Sequence, residues 1–122
     1  MGCGELQSTA APAAKLNRQA ASRELRMFLV LLTYTKPLEI VDTFIPAHRE
    51  YLARNYEAGV FLLSGRKEPR DGGVILASAS SAQALQEVLA EDPFHIHGVA
   101  TYQLVQFTPT MAAPVFRALV AA

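Results

Sequence analysis

A single cysteine, Cys3, leaves the chain no partner for an internal disulfide and no set of thiolates for a structural metal site. Cysteine used this sparingly fits a reducing compartment, so the cytoplasm is the expected location. Charge of one sign is missing as well: eleven Lys and Arg meet eleven Asp and Glu, for a formal net charge of zero. Without a basic excess there is no electrostatic footprint for nucleic acid or for an anionic membrane surface. No apolar run approaches the roughly 20 residues of a membrane span. The expected partners are therefore a small molecule and other copies of the chain, with no nucleic acid and no membrane.

What is present suits one compact domain: 122 residues, 51% of them apolar. Residues 1–26, "MGCGELQSTAAPAAKLNRQAASRELR", hold too few large apolar groups to offset the entropy of ordering them, and a flexible tail is expected. They lack the apolar centre of a secretory signal, and Leu6 stands where a myristoylation motif has Ser or Thr. Glu5 and Glu24 interrupt the basic pattern of a transit peptide, and Met27 is a candidate alternative start. The folded domain is expected over residues 27–109, followed by a tail, 110–122, whose Val115, Phe116 and Leu119 suit a short amphipathic helix.

The run "MFLVLLTY" from Met27 reads as a strand buried on both faces. Leu38 to Ala58 then places Val41, Phe44, Ile45, His48, Leu52 and Tyr56 at helical spacing. Pro46 is tolerated only in a first helical turn, so a short turn followed by a main helix starting near Pro46 is expected, ending at Gly59. "VFLLSG" and "GVILASA" are strands joined by the turn-forming "RKEPRDG", an antiparallel hairpin. Ser80 and Gln83 fit a capping box opening a second helix with Leu85, Val88 and Leu89 inward, and "GVATYQLVQF", from Gly98, is the last strand. This order, βαββαβ, predicts an α+β, ferredoxin-like fold: a four-stranded antiparallel sheet with two helices on one face. Strands apolar on both sides need a second cover, and a homodimer stacked sheet to sheet supplies it.

Several residues carry candidate chemistry. His48 sits in the apolar stripe of the first helix, where an imidazole can act as general acid or base near neutral pH or simply be a satisfied core histidine. Asp92, in "EDP", reads first as a helix stop, because the residue before proline is pushed out of the helical region. His95 and His97, two residues apart at the entrance of the last strand, would share one side of an extended segment, but no third metal ligand accompanies them and no metal is expected. Arg66, Lys67 and Arg70 form either an anion-recognising rim on the hairpin or a solvated basic loop.

In this order, "PAHREYL" (Pro46 to Leu52), "LSGRKEPRDGGVIL" (Leu63 to Leu76) and "EDPFHIHGVATYQLVQF" (Glu91 to Phe107) resemble the YciI-like, or YCII-related, family over residues 27 to about 109. The resemblance implies a dimeric α/β barrel with a cleft in each subunit. It also implies a His and Asp active pair, here His48 and Asp92, with Ser64, Gly65, Arg66 and Phe94 as substrate-binding candidates. Relatives commonly carry Gly-Pro where this chain has Gly65 and Arg66. One characterised activity in the family is dehydrochlorination of a chlorinated, hydroxylated aromatic ring. The expected function is thus a cofactor-free acid/base enzyme of lyase or isomerase type acting on a small molecule. The alternative is a non-catalytic ligand-binding or accessory module using the same cleft.

Overall fold

The structure, a computed structural model, describes residues 25–120. Most of the expected N-terminal tail lies outside these residues, and its last member, Arg26, already belongs to the first strand. The strands are β1 (Arg26–Tyr34), β2 (Phe61–Arg66), β3 (Gly72–Ala79) and β4 (Ala100–Phe107). They form one sheet in the order β2-β3-β1-β4, every neighbouring pair antiparallel. The helices are α1 (Leu38–Thr43), α2 (Ile45–Glu57), α3 (Ala82–Leu89) and a single turn, α4 (Pro93–Ile96). This is the ferredoxin-like arrangement expected from the order of elements. Among the described residues no helix is long and apolar enough to cross a membrane.

β1 alternates rather than being covered twice: Phe28, Val30 and Leu32 are buried, while Leu29 and Leu31 are half-buried and Thr33 is exposed. The buried row joins Ile75 and Ala77 of β3, and Tyr51, Leu85, Leu89 and Phe94 from the helices close over it as one core. Side chains of opposite parity form the other face, where the register aligns Leu63, Leu76, Leu29 and Val105 across the sheet, with Met27 beside Phe107. Leu63, Val105 and Phe107 are 48%, 41% and 40% exposed there.

Pro46 lands in the first turn of α2, where its missing N–H is not needed, and Phe44 separates α1 from α2. The inward stripe of α2 is rotated from the expected one: Tyr51 is fully buried and Tyr56 is 38% exposed. A phenol can be buried mid-helix because its hydroxyl donates to the carbonyl of Val88 at 2.7 Å, keeping its polar end satisfied. α2 ends where Gly59 takes φ +78°, a conformation natural to glycine.

α3 is capped by Ser81, not Ser80. Its hydroxyl accepts from the Ala84 N–H at 3.0 Å, so the expected box with Gln83 does not form. β4 begins at Ala100, two residues after Gly98, because α4 runs to Ile96 and the chain leaves it through Gly98 at φ +66°. The C-terminal segment forms a 3₁₀ helix, Pro114–Leu119, with Val115 and Phe116 exposed.

The hairpin is as expected, with one feature that bears on the site. A bulge between Phe61 and Leu63 interrupts β2. Phe61 pairs with Ala77 on the helix-covered face, and strict alternation would send Ser64 and Arg66 to the other side. The extra residue reverses the parity, so Ser64 lies opposite Ile75 and Arg66 opposite Gly73, both on the helix-covered face.

Candidate active site

Between α2, the sheet and the hairpin lies a cleft of about 650 Å³. Leu32, Ile75 and Phe94 supply its apolar lining, and α2 contributes Ile45, His48, Arg49 and Leu52.

Among the described residues Asp92 is the one charged side chain in the buried core, with no solvent exposure. Its place there follows from local sequence: α3 stops at Leu89, and Asp92 then caps α4, with Pro93 at the first helical position. The helix stop expected at Asp92 falls earlier, at Leu89, and Asp-Pro opens the next turn instead. Oδ1 accepts the Phe94 N–H at 2.9 Å and meets His48 Nδ1 at 2.8 Å, while Oδ2 accepts the Tyr102 hydroxyl at 2.6 Å. A buried carboxylate needs donors on both oxygens, and this one has them.

His48 reaches Asp92 from the middle of α2, its side chain 12% exposed. With the carboxylate as acceptor, Nδ1 carries the proton and Nε2 is the nitrogen left for a ligand. The imidazole lies flat on Phe94, ring centres 4.0 Å apart and planes 6° from parallel. Phe94 thus both donates its N–H to Asp92 and packs against the ring that Asp92 holds.

Tyr102 has no counterpart among the residues expected from sequence. It stands on β4 opposite Leu32, and the register turns it to the helix-covered face. Burial, then the charge of Asp92, then the hydrogen bond to it push the Tyr102 phenol far above its usual range, so it remains a donor. Burial and the Asp92 charge likewise raise Tyr51. An alternating strand reading of "TYQLVQF" could have placed Tyr102 inward, but not beside Asp92.

The two histidines of "HIH" diverge. His95 is exposed on α4, its ring 5.8 Å from that of Tyr102, and His97 stacks on Phe44 with centres 4.2 Å apart. The expected extended segment is a helical turn, which sends residues two apart to different sides. Among the described residues no group of three or more His, Cys, Asp or Glu could hold a metal ion.

Ser64, Gly65 and Arg66 line the cleft, as does Arg70, whereas Lys67 is turned to Thr33 and Asp71. Ser64 shares a hydrogen bond with the Tyr56 hydroxyl. Arg70 meets Asp42 at 2.5 Å and lies 6.0 Å from the centre of the Tyr34 ring; the hydrogen bond to Asp42 raises its pKa further. Arg49, Asp42 and Tyr34 also line the cleft, and nothing in the sequence pattern singled them out.

The family model described as YCII-related domain matches residues 27–108. Among solved structures, the chain is similar to 5-chloro-2-hydroxyhydroquinone dehydrochlorinase from Burkholderia phenoliruptrix AC1100, in complex with 2,5-dihydroxybenzoquinone. The TM-score is 0.60 at 16% identity, covering 67% of this chain and 93% of that one. A cofactor-independent oxygenase from Streptomyces nogalater aligns at a TM-score of 0.45 and 16% identity, covering 74% of this chain and 97% of that one. The comparison with curated proteins finds no match.

Proposed function

This chain belongs to the YCII-related domain family, and from that premise we propose that it is a small-molecule enzyme of lyase or isomerase type. In this reading His48 moves a proton without help from a cofactor. The observation that carries it is the hydrogen bond from His48 to a wholly buried Asp92, at the wall of an accessible cleft. Asp92 fixes the imidazole with Nδ1–H inward, so that Nε2 acts as the base, and it stabilises the imidazolium that results. Nε2 takes a proton from a hydroxyl or ring carbon, and the released electron pair forms a C=O or C=C bond. In an elimination, the leaving group departs with its bonding pair and the imidazolium returns the proton to water. Tyr102 acts on Asp92, holding its second oxygen.

Elimination of chloride from a hydroxylated ring, the chemistry named for the similar dehydrochlorinase, is the first reaction to try. The assay incubates the protein with 5-chloro-2-hydroxyhydroquinone and follows chloride release. In parallel, dechlorinated hydroxyquinones are followed for deuterium uptake from D₂O. His48→Gln should abolish release and exchange while leaving ligand binding in place. Binding without turnover in the unaltered protein would instead favour an accessory, ligand-binding module.

The same reading includes a homodimer. The row of Leu63, Leu76, Leu29 and Val105 on the face away from the helices is the surface we assign to the partner copy. At roughly 25 cal/mol per Å², covering it would strongly favour association.

A further inference from the structure

We infer that the cleft takes a small organic oxyanion, a carboxylate or a phosphate, held by Arg49 of α2 and Arg66 of β2. Three guanidinium groups line the cleft, and they differ in what already occupies them. Arg70 is committed to Asp42, itself a lining residue, so those two charges cancel. Arg49 is exposed and has no hydrogen-bond or ion-pair partner among the described residues. Arg66 meets only Glu68, through Nε at 3.2 Å, with side chains 70% and 75% exposed. An ion pair that exposed contributes little and yields readily to a better acceptor.

What remains is one cation unpaired among the described residues, Arg49, and one held only by an exposed ion pair, Arg66, beside an apolar lining of Leu32, Ile75 and Phe94. In the lining itself three arginines face a single carboxylate, Asp42. Walls of low dielectric focus such a field, and the planar guanidinium fork matches a carboxylate or phosphate with two parallel hydrogen bonds. The two arginines come from different walls. Arg49 follows His48 directly on α2, and Arg66 reaches the cleft side only because the bulge in β2 reverses the strand's parity. An anionic group held between them leaves the apolar body of the ligand against the aliphatic and Phe94 surfaces next to His48. The inference deepens the proposed function and rests on this cleft being the ligand site, not on His48 acting as a base.

The test uses the full chain and three probes of similar size: benzoate, phenyl phosphate and neutral benzamide. Calorimetry gives affinities, and the arginine Nε–Hε signals in ¹H–¹⁵N NMR report which side chains respond. At least one anion should bind tenfold or more tighter than benzamide and move the Arg49 and Arg66 signals. Which anion binds tighter separates carboxylate from phosphate. Arg49→Gln and Arg66→Gln should each weaken it at least tenfold with an unchanged melting temperature, since both residues are exposed. Arg49→Lys, which keeps the charge but loses the fork, should recover part of the loss. The inference is overturned if benzamide binds as well as both anions, if neither anion binds at millimolar concentration, or if either Gln variant binds like the unaltered protein. His48→Gln separates the two readings, because anion binding should survive in it whether or not turnover does.

Discussion

Asp92 gathers more of the site than any other residue, because its two oxygens take donors from three different elements: His48 of α2, Phe94 of α4 and Tyr102 of β4. An amide in its place has one acceptor oxygen and turns an NH₂ toward groups that are themselves donors. Asp92→Asn should therefore destabilise the fold by about 1–3 kcal/mol, the cost of a buried donor left unmet. It should also release the His48 ring from a single tautomer, which ¹⁵N NMR of the ring nitrogens reads directly. Unchanged urea midpoints and ring signals would mean that the carboxylate does nothing a turn-forming amide cannot. The phenols make a second case at this scale. Tyr51 and Tyr102 titrate above the ordinary tyrosine value, mainly because burial disfavours the phenolate. Unfolded tyrosines ionise near pH 10 (about 10). Above that pH the unfolded chain binds fewer protons than the folded one, and stability falls as pH rises. Each phenol should contribute about 1.4 kcal/mol of loss per pH unit there. Urea midpoints between pH 8 and 11 should fall, and less steeply in Tyr102→Phe than in the unaltered protein.

At the scale of the element, β1 and β3 run unusually close at Gly72. A Cβ there would stand 1.8 Å from the carbonyl oxygen of Leu32, a backbone atom that cannot move without the strand. Gly72→Ala should separate the pair, cost about 1–3 kcal/mol or more, and disturb the hairpin that carries Arg66 and Arg70. Gly65 lies in the neighbouring strand with nothing within 4 Å of the same added atom, so Gly65→Ala should fold normally. Matched urea unfolding of the two variants checks the contrast, and equal stabilities would show that β1 and β3 are free to spread. The break at Pro46 and the stop at Gly59 were legible because proline and glycine act through their own backbones. α4 was not, since four residues carry no periodicity to read. The choice between Ser80 and Ser81 as cap was equally closed, because adjacent serines offer the same hydroxyl one residue apart.

For the whole molecule, the sheet's uncovered face decides the expected assembly. Light scattering at micromolar concentration should give twice the chain mass. Val105→Lys places a charge at a position already 41% exposed in the single chain. In a monomer it should be nearly silent, whereas in a dimer packed through this face it should shift the protein toward single chains and lower its melting temperature. A monomer of unchanged stability in both forms would remove the partner copy from the proposal.

The sequence by itself determined the βαββαβ order, the antiparallel hairpin and the inward side of α3, because periodicity and backbone-restricted residues act over a few neighbours. It also marked His48 as a titratable residue within an apolar stripe. The family resemblance paired His48 with Asp92, but only the tertiary structure decided the geometry of their contact, 44 positions apart in the chain, that Tyr102 completes their hydrogen bonds, and that Tyr51 rather than Tyr56 is buried. The face taken by Ser64 and Arg66 was decided in the same way. It turns on one bulged residue in β2, and a bulge depends on how two strands pair, which neither strand encodes alone.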